Sequence, residues 1–146
     1  GVAYSETLMK IWGCKPGLVI HAVDVVEPSV RLPGVCYFIG STQEYLGGVC
    51  PSLGLTFDFV FIDADHSAES VRRDLDMVLP LLRPDGIVAL HDSYPETEAD
   101  TVPGLCGDAW KVAAGLRESH PELEAVTLPY SPGLTLLRKR GGPAWA

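Results

Sequence analysis

At 146 residues the chain is long enough for one folded domain with a substantial core. Its formal charge of -8 argues against a general nucleic-acid or anionic-membrane surface, and no apolar run is long enough to span a bilayer. Cys14, Cys36, Cys50 and Cys106 are widely spaced with no C-x-x-C pair and no signal-peptide pattern precedes them, which reads as reduced thiols of a cytoplasmic protein. The chain opens Gly1-Val2-Ala3-Tyr4 without Met, in what reads as the middle of a fold, so a fragment is expected.

Leu8, Ile11 and Trp12 mark a short amphipathic helix that Gly13 and Pro16-Gly17 stop. Leu18 to Asp24 reads as a buried strand, followed by a loop carrying Pro28, Pro33 and Gly34. Val35 to Ile39 is a second strand, and Ser41 or Thr42 caps a short helix through Val49. After a loop from Pro51 to Thr56 comes the most apolar run, Phe57-Asp58-Phe59-Val60-Phe61-Ile62, expected as a strand buried on both faces.

Ser67 caps a longer helix with Val71, Leu75, Val78, Leu79 and Leu82 on one side, and Pro80 bends or tightens its last turn. Arg83-Pro84-Asp85-Gly86 has the residue types of a tight turn leading into a strand that ends at Leu90. Ser93 to Gly107 reads as a long surface loop of the kind that often forms a lid. Asp108 is expected to cap a helix from Ala109 to Ser119. Glu124 to Leu128 and Leu134 to Arg138 form a closing hairpin, and Gly141 to Ala146 is a tail. One domain over 1–140 is expected, with a mostly parallel α/β sheet and an antiparallel edge.

Three of these strands end in ionisable residues: Asp24; then Asp63, Asp65 and His66; then His91-Asp92-Ser93. In an open α/β sheet ligands sit just beyond the carboxyl ends of the strands, so these are the candidate site residues. Each also has a structural reading: Asp63 as a cap of the helix that follows, Asp65 as a negative charge at the positive end of its dipole, and His66 as a helix-entry residue. His21, inside a strand, reads as a satisfied core histidine, and Trp12 and Trp110 as packing residues. No G-x-G-x-x-G, P-loop or G-x-S-x-G is present, which removes the main support for dehydrogenase, kinase and hydrolase readings.

The succession D-x-D-H, helix, P-D-G, strand, H-D over Phe57 to Ser93 resembles the class I S-adenosylmethionine-dependent methyltransferases, and most closely the catechol and caffeoyl-coenzyme A O-methyltransferases with their bacterial relatives. The resemblance implies a Rossmann-like sheet in the order 3-2-1-4-5-7-6, helices on both faces and a C-terminal antiparallel hairpin. The family's first strand would precede Gly1 and is absent from this chain, so activity is expected of the whole natural chain.

By the same resemblance S-adenosylmethionine is the cofactor. Asp24 matches the acid on the ribose hydroxyls, with Glu27 as the alternative, and Gly40, Ser41, Thr42 and Gln43 match the loop framing the adenine. Gly1, Tyr4 and Ser5 match the end of the loop holding the methionine part, and Asp63 borders the cofactor. Asp63 and Asp92 match two metal-ligating acids, for Mg²⁺ or Mn²⁺. Ser93 stands where the family has an amide ligand.

The activity implied is methyl transfer to a hydroxyl of a small-molecule acceptor, with His91, Asp92 and His66 as catalytic candidates. Deprotonation is assisted either by the ion or by a histidine base. The alternative is a fold module that binds S-adenosylmethionine, or serves as a partner subunit, without turnover. A third reading is a hydroxylase-type relative of the same fold. No nucleic-acid or membrane partner is expected, and a homo-oligomer is compatible with the pattern.

Overall fold

The computed structural model describes residues 6–14 and 17–141. The chain divides into two compact units, Gly1–Leu53 and Gly54–Ala146.

The first unit holds helix α1 (Glu6–Cys14), strands β1 (Ile20–Asp24) and β2 (Val35–Ile39), and a helical stretch. β1 and β2 pair in parallel with Asp24 opposite Ile39, so both chains leave the sheet at the same end. The helical stretch comprises α2 (Thr42–Glu44), a π turn (Tyr45–Val49) and α3 (Cys50–Leu53), and so includes residues expected as loop. Ser41 begins it with a reciprocal capping box: its hydroxyl accepts from Glu44 N, and the Glu44 carboxylate accepts from Ser41 N. Ala22, Tyr45 and Cys50 are its buried centre. His21 meets the Tyr45 hydroxyl through Nδ1, the satisfied core histidine that the sequence suggests. Trp12 instead lies 43% exposed, with Nε1 donating to the Pro33 carbonyl at 2.9 Å.

The second unit holds β3 (Phe57–Ile62), α4 (Ala68–Val78) with a 3-10 turn (Leu79–Leu81), and β4 (Leu82–His91). A 3-10 turn (Glu98–Thr101), α5 (Trp110–Ser119), β5 (Leu123–Leu128) and β6 (Leu134–Lys139) follow. Its sheet order is β3-β4-β6-β5, with β3 parallel to β4 and the other two pairs antiparallel. Among the described residues the two sheets are the 3-2 and the 4-5-7-6 portions of the expected order, and no strand stands in the first position.

Two expectations are corrected here. Arg83 to Gly86 do not turn the chain: they bulge within β4, because Phe57 pairs with Leu82 while Phe59 already pairs with Ile87. β3 is not buried on both faces, since it is the outer strand of its sheet and Phe59 is 48% exposed. The buried centre lies one strand inward, at Val88, Ala89 and Leu90 of β4 with Leu137 of β6 paired beside them, and α4 buries Val71, Leu75 and Val78.

Asp108 also departs from its expected role. Helix α5 starts without a side-chain cap. The Asp108 carboxylate reaches back to the neighbouring helix, accepting from Ala68 N at 2.6 Å and from Lys111 Nζ at 3.2 Å. These donors hold its carboxyl below the ordinary value of 3.8, the Ala68 amide most. A folded-state pKa below the unfolded one gives stability present above about pH 4 and lost as pH falls through the depressed value. Asp108→Ala should therefore cost about 1 kcal/mol at neutral pH, the usual size of a lost helix cap. Urea unfolding should show the gap between variant and parent narrowing in acid.

Candidate active site

Parallel pairing of β3 with β4 sets Ile62 opposite Leu90, so the residues just past each strand end emerge side by side. Asp63 follows β3, and His91 and Asp92 close β4. His91 Nδ1 lies 3.1 Å from Asp63 Oδ1 and 3.2 Å from Asp92 Oδ1. These are ion-pair distances, although the ring N–H is not aligned on either oxygen as a hydrogen bond requires. His66 Nε2 lies 3.2 Å from Asp92 Oδ2 and 3.8 Å from Asp63 Oδ1. Asp92 is buried, whereas Asp63, His66 and His91 are half-buried.

The electrostatics follow from two acids facing two imidazoles. The Asp63 and Asp92 carboxylates, in that order, raise His91 against the opposing effect of burial, to about 10. Burial pushes the Asp63 carboxyl up, but His91, with lesser help from His66, outweighs it and holds Asp63 below its ordinary value. Asp65, expected near the site, instead serves the start of α4, accepting from Ser67 N and the Ser70 hydroxyl at 2.9 Å each.

The segment after Thr101 folds onto this cluster through His66. The ring Nδ1 meets the Leu105 carbonyl. The His66 main-chain carbonyl accepts from Asp108 N and Ala109 N, both at 3.0 Å. Gly107 allows the approach: its φ is +56°, and a Cβ there would lie 2.3 Å from the His66 carbonyl oxygen. An open cavity of about 530 Å³ beside the cluster is lined by Asp65, His66, Pro103, Gly104 and Asp108 among others. The turn between β5 and β6 holds the other flank, with Tyr94 N donating to the Pro132 carbonyl at 2.9 Å.

Cys106 was read from sequence only as a reduced thiol, yet it is buried against Asp92. Burial pushes its thiol up, and the neighbouring Asp92 carboxylate adds to the rise. It lies 14 residues beyond Asp92 in a loop with no periodic pattern, so no sequence signal links the two.

In the first unit Asp24 and Gly40 to Gln43 come together at the carboxyl end of the β1–β2 pair. Gly40 N donates to the Asp24 carbonyl at 2.9 Å, and Asp24 Oδ1 accepts from Val26 N at 2.9 Å. The Ser41 hydroxyl is engaged with Glu44, and Gln43 Nε2 donates to Thr42 Oγ1 at 3.1 Å. Glu27 is ion-paired with Arg31 at 2.6 Å. Gly1, Tyr4 and Ser5 lie outside the described residues.

Residues 22–93 match the family model described as a methyltransferase domain, a stretch running from β1 through Ser93. Several solved structures share the architecture. The MycE methyltransferase of the mycinamycin biosynthetic pathway, in complex with Mg and SAH, gives a TM-score of 0.60 at 21% identity, over 86% of this chain and 40% of that one. A candidate caffeoyl-CoA O-methyltransferase from Staphylococcus aureus gives 0.56 at 20% identity, over 73% and 52%. The SAH-bound methyltransferase PaMTH1 of Podospora anserina gives 0.51 at 24% identity, over 73% and 49%. The chain has the class I methyltransferase fold. It spans 40 to 52% of the length of these neighbours. Among curated proteins none matches it. Among the described residues no helix is long and apolar enough to cross a membrane.

Within this methyltransferase fold Asp92 has a backbone peculiarity. Its φ is 55°, the left-handed region that an L side chain enters at a cost of about 1–2 kcal/mol. Asp92→Ala and Asp92→Gly both delete the carboxylate, but only alanine retains a Cβ in that conformation. The glycine variant should be the more stable of the two by about 1 kcal/mol, despite glycine's larger entropy in the unfolded chain. Parallel thermal melts check the order.

Proposed function

We propose that the protein transfers a methyl group from S-adenosylmethionine to a hydroxyl of a small molecule. The observation that carries this reading is the convergence of Asp63, His66, His91 and Asp92 beyond the ends of β3 and β4 in a methyltransferase fold.

S-adenosylmethionine fits the strand-end groups of the first unit. The Asp24 carboxylate offers acceptors of the kind a ribose diol needs. Gly40 to Gln43, held next to it by the bond from Gly40 N to the Asp24 carbonyl, supply the polar edge proposed for the adenine. When bound, S-adenosylmethionine supplies an activated methyl on a sulfonium. The chain's own work is to hold the acceptor oxygen in line with that methyl and to manage the departing hydroxyl proton.

A divalent ion fits the second unit. Ligand atoms of Asp63, His66 and Asp92 lie within 4.8 Å of one another. Among the described residues the buried Ser93 Oγ beside Asp92 finds no hydrogen-bond partner. Asp63 and Asp92 would hold the ion, which when bound lowers the pKa of a coordinated hydroxyl. His91 lies against both acids and places its ring beside the proposed ion site.

A histidine-base version has one observation in its favour. His66 meets the Leu105 carbonyl with Nδ1, which leaves Nε2 as the unprotonated nitrogen of a neutral ring. Chelation separates the two versions. In the full-length protein, activity abolished by chelator and restored by Mg²⁺ or Mn²⁺ supports the ion, and activity that survives supports His66 as the base.

Asp92→Asn should abolish most methyl transfer while leaving S-adenosylmethionine affinity nearly intact. Asp24→Ala should weaken that affinity by about 1–3 kcal/mol, the range for losing a charged hydrogen-bond partner. Calorimetry and a methyl-transfer assay on the same preparations read both. Binding without turnover towards any hydroxyl acceptor would favour a non-catalytic module, and no binding at all would end the proposal.

A further inference from the structure

We propose that His66 is the third protein ligand of the divalent ion, and that the Leu105–Ala109 segment is ordered together with that ion through His66. This rests on the reading above that Asp63 and Asp92 hold a divalent ion.

The donor geometry is the first argument. His66 Nε2 faces both acids, at 3.2 Å from Asp92 Oδ2 and 3.8 Å from Asp63 Oδ1. One ligand atom from each of the three residues falls within a 4.8 Å span, compact enough to surround one cation. Asp63 and His66 lie three residues apart in the connection before α4, and Asp92 comes from the adjacent strand end. A buried hydroxyl without a partner among the described residues, Ser93 Oγ, follows Asp92 directly.

The second argument is the support behind the ring. A ligating histidine commonly donates its other ring N–H to a carbonyl, which fixes its tautomer and orientation. His66 has this arrangement, with Nδ1 on the Leu105 carbonyl. The same residue anchors the segment that supplies the carbonyl, because the His66 main-chain oxygen accepts from Asp108 N and Ala109 N. Gly107, whose missing Cβ lets the strands of this clasp touch, completes it. An ion that favours the oriented His66 favours the clasped segment by the same free energy, and the relation is reciprocal. An imidazole nitrogen in place of an oxygen donor shifts preference from Mg²⁺ towards Mn²⁺.

The test uses Mn²⁺ alone on the full-length protein. Pulsed electron paramagnetic resonance should detect nitrogen coupling to bound Mn²⁺ in the parent and in His91→Ala, but not in His66→Ala. His66→Ala should lose at least about tenfold in Mn²⁺ affinity, and less for Mg²⁺. Gly107→Ala, which keeps every ligand residue but crowds the His66 carbonyl, should also weaken Mn²⁺ binding. In the parent, Mn²⁺ should slow proteolytic cleavage between Thr101 and Asp108.

Absence of nitrogen coupling in the parent overturns the inference without any variant. So does coupling that survives His66→Ala or disappears with His91→Ala, or cleavage that Mn²⁺ does not change. S-adenosylmethionine binding and methyl transfer, measured on the same samples, report separately whether the proposed activity stands.

Discussion

Two carboxylates forced together at the ends of neighbouring parallel strands are the constraint on which the site depends. Strands in a sheet lie about 5 Å apart, so residues immediately beyond paired strand ends cannot avoid one another. Asp63 and Asp92 are so placed by the Ile62–Leu90 pairing. Two adjacent carboxylates repel unless a cation or a proton sits between them. His91, drawn to both acids, supplies the positive charge, and the depressed Asp63 and raised His91 are two views of that one pairing. The structural cost is concentrated at Asp92, which is buried, left-handed in its backbone, and in contact with Cys106 as well as the two imidazoles.

Much of this was legible in the chain because it follows from local rules. The apolar runs identified the strands, Ser67 marked the start of α4, and Pro80 the tightened turn at its end. The hairpin was visible in its Pro-Gly connection. The acids at the strand ends were visible because a buried strand that stops at a charge has reached the edge of its core. What was not legible depends on pairing partners. Arg83 to Gly86 have turn composition, but the register of β4 against β3 makes them a bulge. Phe59 has the chemistry of a core residue, but an outer strand leaves it half exposed. Asp108 sits where a cap for its own helix belongs, yet the helix it caps begins 40 residues earlier.

The loop contributions were hidden for the same reason. Leu105, Cys106 and Gly107 have no periodicity, and their roles exist only because the chain returns to His66. That return solves a problem the strand ends create. A histidine in a connection before a helix has a free choice of ring orientation, and a site tolerates little looseness in its donors. Holding the His66 ring by Nδ1 and its main chain by two amides removes that freedom from both sides. The clasping segment is irregular: Leu105 is about half exposed, whereas Cys106, Gly107 and Ala109 are buried. His66, whose ring faces both acids, is thus held by a segment that comes about 40 residues later in the chain.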